Sequence, residues 1–293
     1  MDQRFANWGV FVLLSLTWGS SFILMKIGLE AFTSYQVASL RLVAAGLALL
    51  PFLPKALKQT PKNKLPVIFL SGLLGNGIPA FLFCIAETEI DSSLAGIMNA
   101  LTPLMALLSG ILIFKSPFRK EQLTGIFVGL AGVVLLFTSK GISANHHWYY
   151  AFLVILATIS YGVNISLVHH HLKGFSSIQL GSIAMFFCGL ITFPILWFSD
   201  FFPQFATANA PWRSLSAGLV LGVMGTGVAA VLFFLLIKRA GSVLASMVAY
   251  ALPIVAVGWG LVAHESINWV QIISMLIILA GVYLVNLASK KGH

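Results

Sequence analysis

Charge is scarce in this chain. Only 9% of its 293 residues are Asp, Glu, Lys or Arg, against about 25% in soluble globular domains. That shortage excludes an ordinary soluble enzyme or binding domain. Acidic residues are the rarest, eight against 17 Lys and Arg. Cysteine is rarer still. Cys84 and Cys188 both fall inside apolar runs, so they read as small buried hydrophobes, with neither a disulfide nor a metal site expected. Catalytic patterns are missing too. His264-Glu265 lacks the second His of a zinc H-E-x-x-H motif, and no nucleophile–base pair or paired acids occur, so no catalytic residue, enzyme activity or cofactor is assigned.

Apolar residues make up 59% of the chain, and mean hydropathy is +0.96. A helix needs about 20 apolar residues to cross the hydrocarbon core of a bilayer. Ten windows qualify: 8–29, 35–53, 65–86, 93–114, 122–138, 148–168, 178–198, 215–237, 243–263 and 269–288. The first has a single basic flank, Arg4, and no A-x-A site follows it, so it is read as a permanent helix rather than a signal sequence. With the N-terminus in the cytoplasm, 13 of the 17 basic residues fall in inner segments, and the C-terminus is cytoplasmic as well. The net charge of +9 is thus a topology signal, and no nucleic-acid partner is needed to explain it.

The chain also repeats itself. Gly72, Gly75, Gly77, Phe83, Ser92, Leu94, Ala95, Pro103 and Gly110 recur 150 residues later as Gly222, Gly225, Gly227, Phe233, Ser242, Leu244, Ala245, Pro253 and Gly260. Earlier landmarks repeat at an offset of 143: Trp18-Gly19 with Tyr161-Gly162, Gly46 with Gly189, Pro51 with Pro194. Near the end the offset is 149, matching Leu130-Ala131-Gly132-Val133 to Leu279-Ala280-Gly281-Val282. Each half, 1–142 and 143–293, therefore holds five helices. Five is odd, so the second half enters the membrane from the opposite side. The fold expected is an all-α membrane protein of ten transmembrane helices, a 5+5 inverted repeat. Such repeats underlie alternating access in secondary transporters, with the site between them, and they also occur in channels.

Trp18-Gly19, Arg41, the run from Pro103 to Gly110, and Gly125 to Gly132 together resemble the drug/metabolite transporter superfamily, EamA-type branch, with two such domains spanning the chain. The resemblance implies a ten-helix inner-membrane carrier with a cavity lined by helices one, three, four, six, eight and nine. It also implies small metabolites as substrates, often amino acids and usually exported. Members often carry Glu at the end of the fourth and ninth helices; Glu265 fits the second, but Lys115 stands at the first.

Polar groups in hydrocarbon are costly and face protein or a watery cavity. Arg41 lies seven residues past the boundary residue Ser34, roughly 10 Å deep at 1.5 Å per residue. It reads either as a cation for a substrate carboxylate or as a structural Arg. Lys26, near its helix end, reads as snorkelling. Asn76 sits between Gly75 and Gly77, three residues before Pro79, and Asn99 precedes Pro103 by four; Pro253 likewise frees the carbonyl of Ala249, beside Tyr250. These weakened helices, together with Gly225 and Gly227, are candidate hinges. Asn76, Asn99, Asn164, Trp18, Tyr161 and Tyr250 are candidate cavity walls, with helix–helix packing as the alternative. His169, His170 and His171 do not share a helix face, so no metal is assigned. The Gly125-x-x-x-Gly129 pair packs on helix ten or supports a homodimer. All eight acids are placed at membrane edges, Glu87 among them, which points to facilitated diffusion or exchange rather than tight proton coupling. A channel or a non-transporting scaffold is the remaining class.

Overall fold

The computed structural model describes residues 3–138, 147–206 and 210–290. The boundary between the two halves and Lys140 lie outside them, as does Lys291. Among the described residues the regular structure is all helical, with no strands. The helices are α1 (Gln3–Gly19), α2 (Ser21–Leu29), α3 (Ser34–Leu49), α4 (Leu53–Gln59), α5 (Leu65–Gly72), α6 (Ile78–Ala86), α7 (Ser92–Asn99) and α8 (Thr102–Leu112). They continue as α9 (Lys120–Phe137), α10 (His147–His171), α11 (Ser177–Phe198), α12 (Trp212–Gly222), α13 (Ala229–Val262) and α14 (Trp269–Lys290). Singly or as consecutive pieces, they form eight stretches long and apolar enough to cross a membrane, plus the shorter apolar stretch Val248–Val262.

Two of these joints have the same unusual geometry. Leu73–Gly77 joins α5 to α6, and Val223–Val228 joins α12 to α13, each as a wide π-type turn. They lie 150 residues apart, at the repeated Gly-x-Gly. Pro79 follows the first, but Ala229 stands in its place after the second. The glycine pair, which both turns share, is therefore the better cause than the proline.

The sequence repeat is also a repeat of contacts. A Cβ placed on Gly46 would meet the Met185 carbonyl, and one on Gly189 would meet that of Leu42. Gly72 abuts Ala184, and Gly222 abuts Arg41. Gly19 abuts Val255, and Gly162 abuts Met105. On α9 and α14, Gly132 abuts Ile278, and Gly281 abuts Gly129. In every case the second contact is the first with both partners exchanged between halves. Reciprocal contact of this kind is what a two-fold relation produces. Of the Gly125–Gly129 pair, Gly125 packs on Gly281 and Val285 of α14, while a Cβ on Gly129 would meet Leu104 of α8.

Two expectations need correction. Separate helices at 215–237 and 243–263 are expected, yet helical backbone runs unbroken from Ala229 to Val262. The only breaker between those windows is Gly241, and a lone glycine costs a helix only about 1 kcal/mol relative to alanine. The run is not straight. Gly225 meets Ser21 while Trp259 donates to Ser20, so residues 34 apart in sequence come to neighbouring points on the first span. Pro103 and Pro253 also behave differently. The chain breaks before Pro103, between α7 and α8, but continues through Pro253. At the break the Thr102 hydroxyl donates to Asn99 Oδ1 at 3.2 Å; the equivalent residues Leu252 and Ala249 have no polar group to do so.

Because a Cβ on Gly281 would stand 2.5 Å from the Gly129 nitrogen, Gly281→Leu is expected to force α9 and α14 apart. Overpacking of this sort costs about 1–3 kcal/mol, to be read as a lowered unfolding temperature in detergent, with Leu276→Ala on the exposed face near neutral.

Candidate functional site

Each wide turn is gripped from the first span of the other half. At the second turn, Trp18 Nε1 donates to the Gly225 carbonyl at 2.9 Å, and the indole packs on Phe233 with ring centres 5.1 Å apart. At the first, the Ser160 hydroxyl donates to the Leu74 carbonyl at 2.8 Å. A turn that interrupts the helical ladder leaves carbonyls without their usual amides, and in hydrocarbon such groups need another donor. Beside these grips, the Asn164 amide lies against Gly75 and accepts from Ser71 Oγ at 2.6 Å. Ser21 holds the equivalent place against Gly225.

Arg41 points inward. Its Nε donates to Thr226 Oγ1 at 3.3 Å, and Nη1 approaches Met25 Sδ at 3.9 Å. Both are weak partners, leaving most of the guanidinium donors to other groups. Asn76 is the counterpart of Thr226 in the first turn, but Ala184 stands where the repeat would place an arginine. Among the described residues Asn76 has no hydrogen-bond partner and is partly exposed. Tyr161 packs on Phe83 at 6.2 Å, and Phe83 on Phe22 at 5.7 Å, an aromatic wall beside Arg41.

Other predicted residues lie elsewhere. Asn99 bonds only locally, to Thr102. Tyr250 accepts from Asn286 Nδ2 on α14. Lys26 does not snorkel; its ammonium donates to the carbonyls of Glu87 and Ile90 at 3.1 and 3.2 Å, closing the C-terminus of α6. His170 stacks on Phe114 at 4.8 Å and lies 3.3 Å from Ser116, tying α10 to the segment after α8. Both cysteines are free and buried. A cavity of about 300 Å³, lined by Leu73, Gly77, Phe81, Cys188 and Thr192 among others, lies beside the first turn and is wholly apolar. It is separate from the Arg41 group.

Two acids were placed at membrane edges without further role, and their surroundings show more. Glu265 accepts from Ser92 N and Oγ at 2.9 and 2.6 Å and from Ser93 N at 3.0 Å, so it caps α7 from the other half of the chain. Burial pushes its carboxyl upward, but the bonds from Ser92 and Ser93 outweigh that and hold it below the usual carboxylate range. Glu87 directly follows α6, where its side chain is fully buried. Sequence placed it at a helix end, as observed, but gave no sign of what covers it.

The EamA-like transporter family matches residues 7–138 and again 148–287, and the chain belongs to that family. Its apolar helices and its family make it an integral membrane protein of the transporter class. It is similar to the "Uncharacterized inner membrane transporter YedA" of Escherichia coli K12, 29% identical, covering 97% of this chain and 92% of that one. A "Probable terminal-alkyne amino-acid exporter" of Streptantibioticus cattleyicolor is 22% identical over 86% of this chain and 82% of its own. A "Probable amino-acid metabolite efflux pump" of Salmonella typhimurium is 25% identical over half of this chain, 50%, and 47% of its own. One crystal structure, 16% identical, shares the fold at a TM-score of 0.64 over 98% of this chain and 99% of that one.

The Glu265 cap sets a pH dependence. Since its carboxyl is held below the unfolded value, the stabilisation is present above that value and is lost as pH falls through the folded one. Glu265→Gln should lower stability at neutral pH by about 1 kcal/mol, solvent screening at this half-buried site included. The gap to the unchanged protein should close in acid, as read from unfolding temperature against pH.

Proposed function

We propose that the chain is a secondary carrier of ten transmembrane helices, built from halves 1–142 and 143–293 in inverted orientation with both termini cytoplasmic. It exports small amphipathic metabolites, amino acids or close relatives, by alternating access. The observation that carries this reading is the pair of corresponding grips, Trp18 on the Gly225 carbonyl and, one residue out of register in the repeat, Ser160 on the Leu74 carbonyl. Two halves that hold each other through equivalent contacts can exchange roles, one grip tightening as the other loosens. That exchange moves an opening from one face of the membrane to the other. An odd number of spans per half supports the inversion, and the distribution of Lys and Arg supports the orientation.

Substrate recognition falls to groups led by Arg41 and Asn76, which the halves do not share. Arg41 supplies donors for a carboxylate, Asn76 supplies an amide, and Phe22, Phe83 and Tyr161 face an apolar portion. The two amino-acid exporter names among the relatives agree with that chemistry and with outward transport. Gly75, Gly77, Gly225 and Gly227 act as hinges in the wide turns, and Pro79, Pro103 and Pro253 shape the helices beside them.

Purified protein screened by thermal shift against metabolites should be stabilised by a subset bearing a carboxylate. Arg41→Ala should weaken that binding by roughly tenfold to a hundredfold, the value of a hydrogen bond to a charged group. Asn76→Ala should weaken it less. Stabilisation unchanged in both variants would place the site elsewhere. Uptake into vesicles that saturates and is accelerated by substrate on the far side identifies a carrier; flux without saturation identifies a channel.

A further inference from the structure

Glu87 is a fully buried acid to which the transport reading gives no part. It lies just beyond the apolar span Lys62–Ala86, and its side chain is 0% exposed. Both carboxyl oxygens are buried with no hydrogen-bond partner among the described residues. A buried carboxylate without partners is costly enough that the group takes up a proton instead.

The groups around it do not supply the missing partner. Lys26, on α2, gives its ammonium to the backbone carbonyls of Glu87 and Ile90 instead of the carboxylate. Arg41, on α3, contacts Thr226 and Met25. Glu265, between α13 and α14, brings a like charge and spends its own oxygens on Ser92 and Ser93. Cys84, one turn back on α6, is a buried free thiol, and Tyr161 on α10 faces Arg41 rather than donating to Glu87. The negative end of the α6 dipole opposes ionisation further. Burial drives the Glu87 carboxyl well above the ordinary value; Lys26 and Arg41 pull it down by less, and Glu265 adds to the rise.

We propose that Glu87 is a proton-binding site that links protonation to the opening of this end of the bundle, and through that opening to transport. In the packed arrangement it is the neutral acid. When α2, α6 and α7 part and water enters, the O–H bond breaks, the proton passes to water, and the charge stays on the carboxylate facing Lys26 and Arg41. Repacking takes a proton up again. Low pH therefore favours the packed end and high pH the open one, by up to about tenfold per pH unit between the ordinary and the raised value. Only the last step, the link to transport, rests on the carrier reading.

The test has arms that need no substrate. Infrared spectra of the purified protein at neutral pH should contain a carboxylic-acid C=O band that Glu87→Gln removes and alkali bleaches. If that variant fails to fold, Glu87→Asp should shift the band instead. In a Cys84→Ser, Cys188→Ser background, maleimide labelling of Ile90→Cys reports on the same end. The ratio of the labelling rate with Glu87 intact to that with Glu87→Gln cancels the ionisation of the thiol. That ratio should rise with pH. No Glu87-dependent acid band at neutral pH would overturn the proposal, and so would a band accompanied by a pH-independent ratio, which marks a permanently buried structural acid. In vesicles loaded with a pH-sensitive dye, an equimolar mixture of neutral amino acids should move protons, and Glu87→Gln should abolish that movement. Amino-acid flux with no proton movement would overturn the link to transport. No flux at all would count against the carrier reading, with the infrared and labelling arms still deciding Glu87.

Discussion

A backbone carbonyl inside a bilayer must find a donor within the protein. A wide turn in a helix breaks that rule locally, because it shifts the ladder and strands carbonyls that water cannot reach. This chain makes two such turns and satisfies each with a side chain from the other half: indole on one side, hydroxyl on the other. The two halves are thus joined at the places where each is least able to satisfy itself. Elsewhere they meet through glycine against backbone, as at Gly46 with Met185 and Gly281 with Gly129. Contacts of that kind give close packing without polar locks, which suits elements that must slide.

Much of this was legible in the sequence, and the reason is the glycines. The offsets of 143, 150 and 149 are kept by residues whose replacement would add a Cβ where another backbone passes, so the repeat in letters forecasts a repeat in contacts. The Gly-x-Gly pairs marked both wide turns. Arg41, singled out as a costly cation inside the apolar span, lies partly buried against Thr226 and Met25. What the sequence withheld was partnership across the chain. Nothing local to Ser160, Ser71 or Thr226 distinguishes them from other small polar residues; their roles come from positions that the other half supplies. Lys26 was read as snorkelling because its helix end is near, but the nearest unsatisfied groups were carbonyls of α6 rather than lipid headgroups. The unbroken run through α13 was missed because two apolar windows separated by basic residues look alike whether or not the link is helical.

Glu87 and Glu265 illustrate the same limit with opposite outcomes. Both sit at helix ends beside apolar spans, and sequence assigned them one fate, a solvated edge. Glu265 meets the free amides of α7 and stays below the ordinary carboxylate range, while Glu87 meets no donor among the described residues and is driven above it. The difference lies in which helix terminus each carboxylate faces: the N-terminal amides of one, or the C-terminal carbonyls of the other.

The backbone contacts obey the two-fold relation, but the chemistry does not. Lys26, Arg41, Glu87 and Glu265 correspond by the repeat offsets to His169, Ala184, Ile237 and Lys115. Two of the four counterparts are therefore apolar, one is basic where the first is acidic, and the fourth exchanges a lysine for a histidine. Around that histidine the opposite end is held by ring stacking of His170 on Phe114 and a contact with Ser116. A machine whose geometry is symmetric and whose charges are not will open its two ends at similar mechanical cost but under different chemical conditions. Backbone symmetry alone would leave direction to the substrate gradient. Confining the buried acid and its cations to one end gives that end a response to protons set by a carboxyl, where the other end carries histidines.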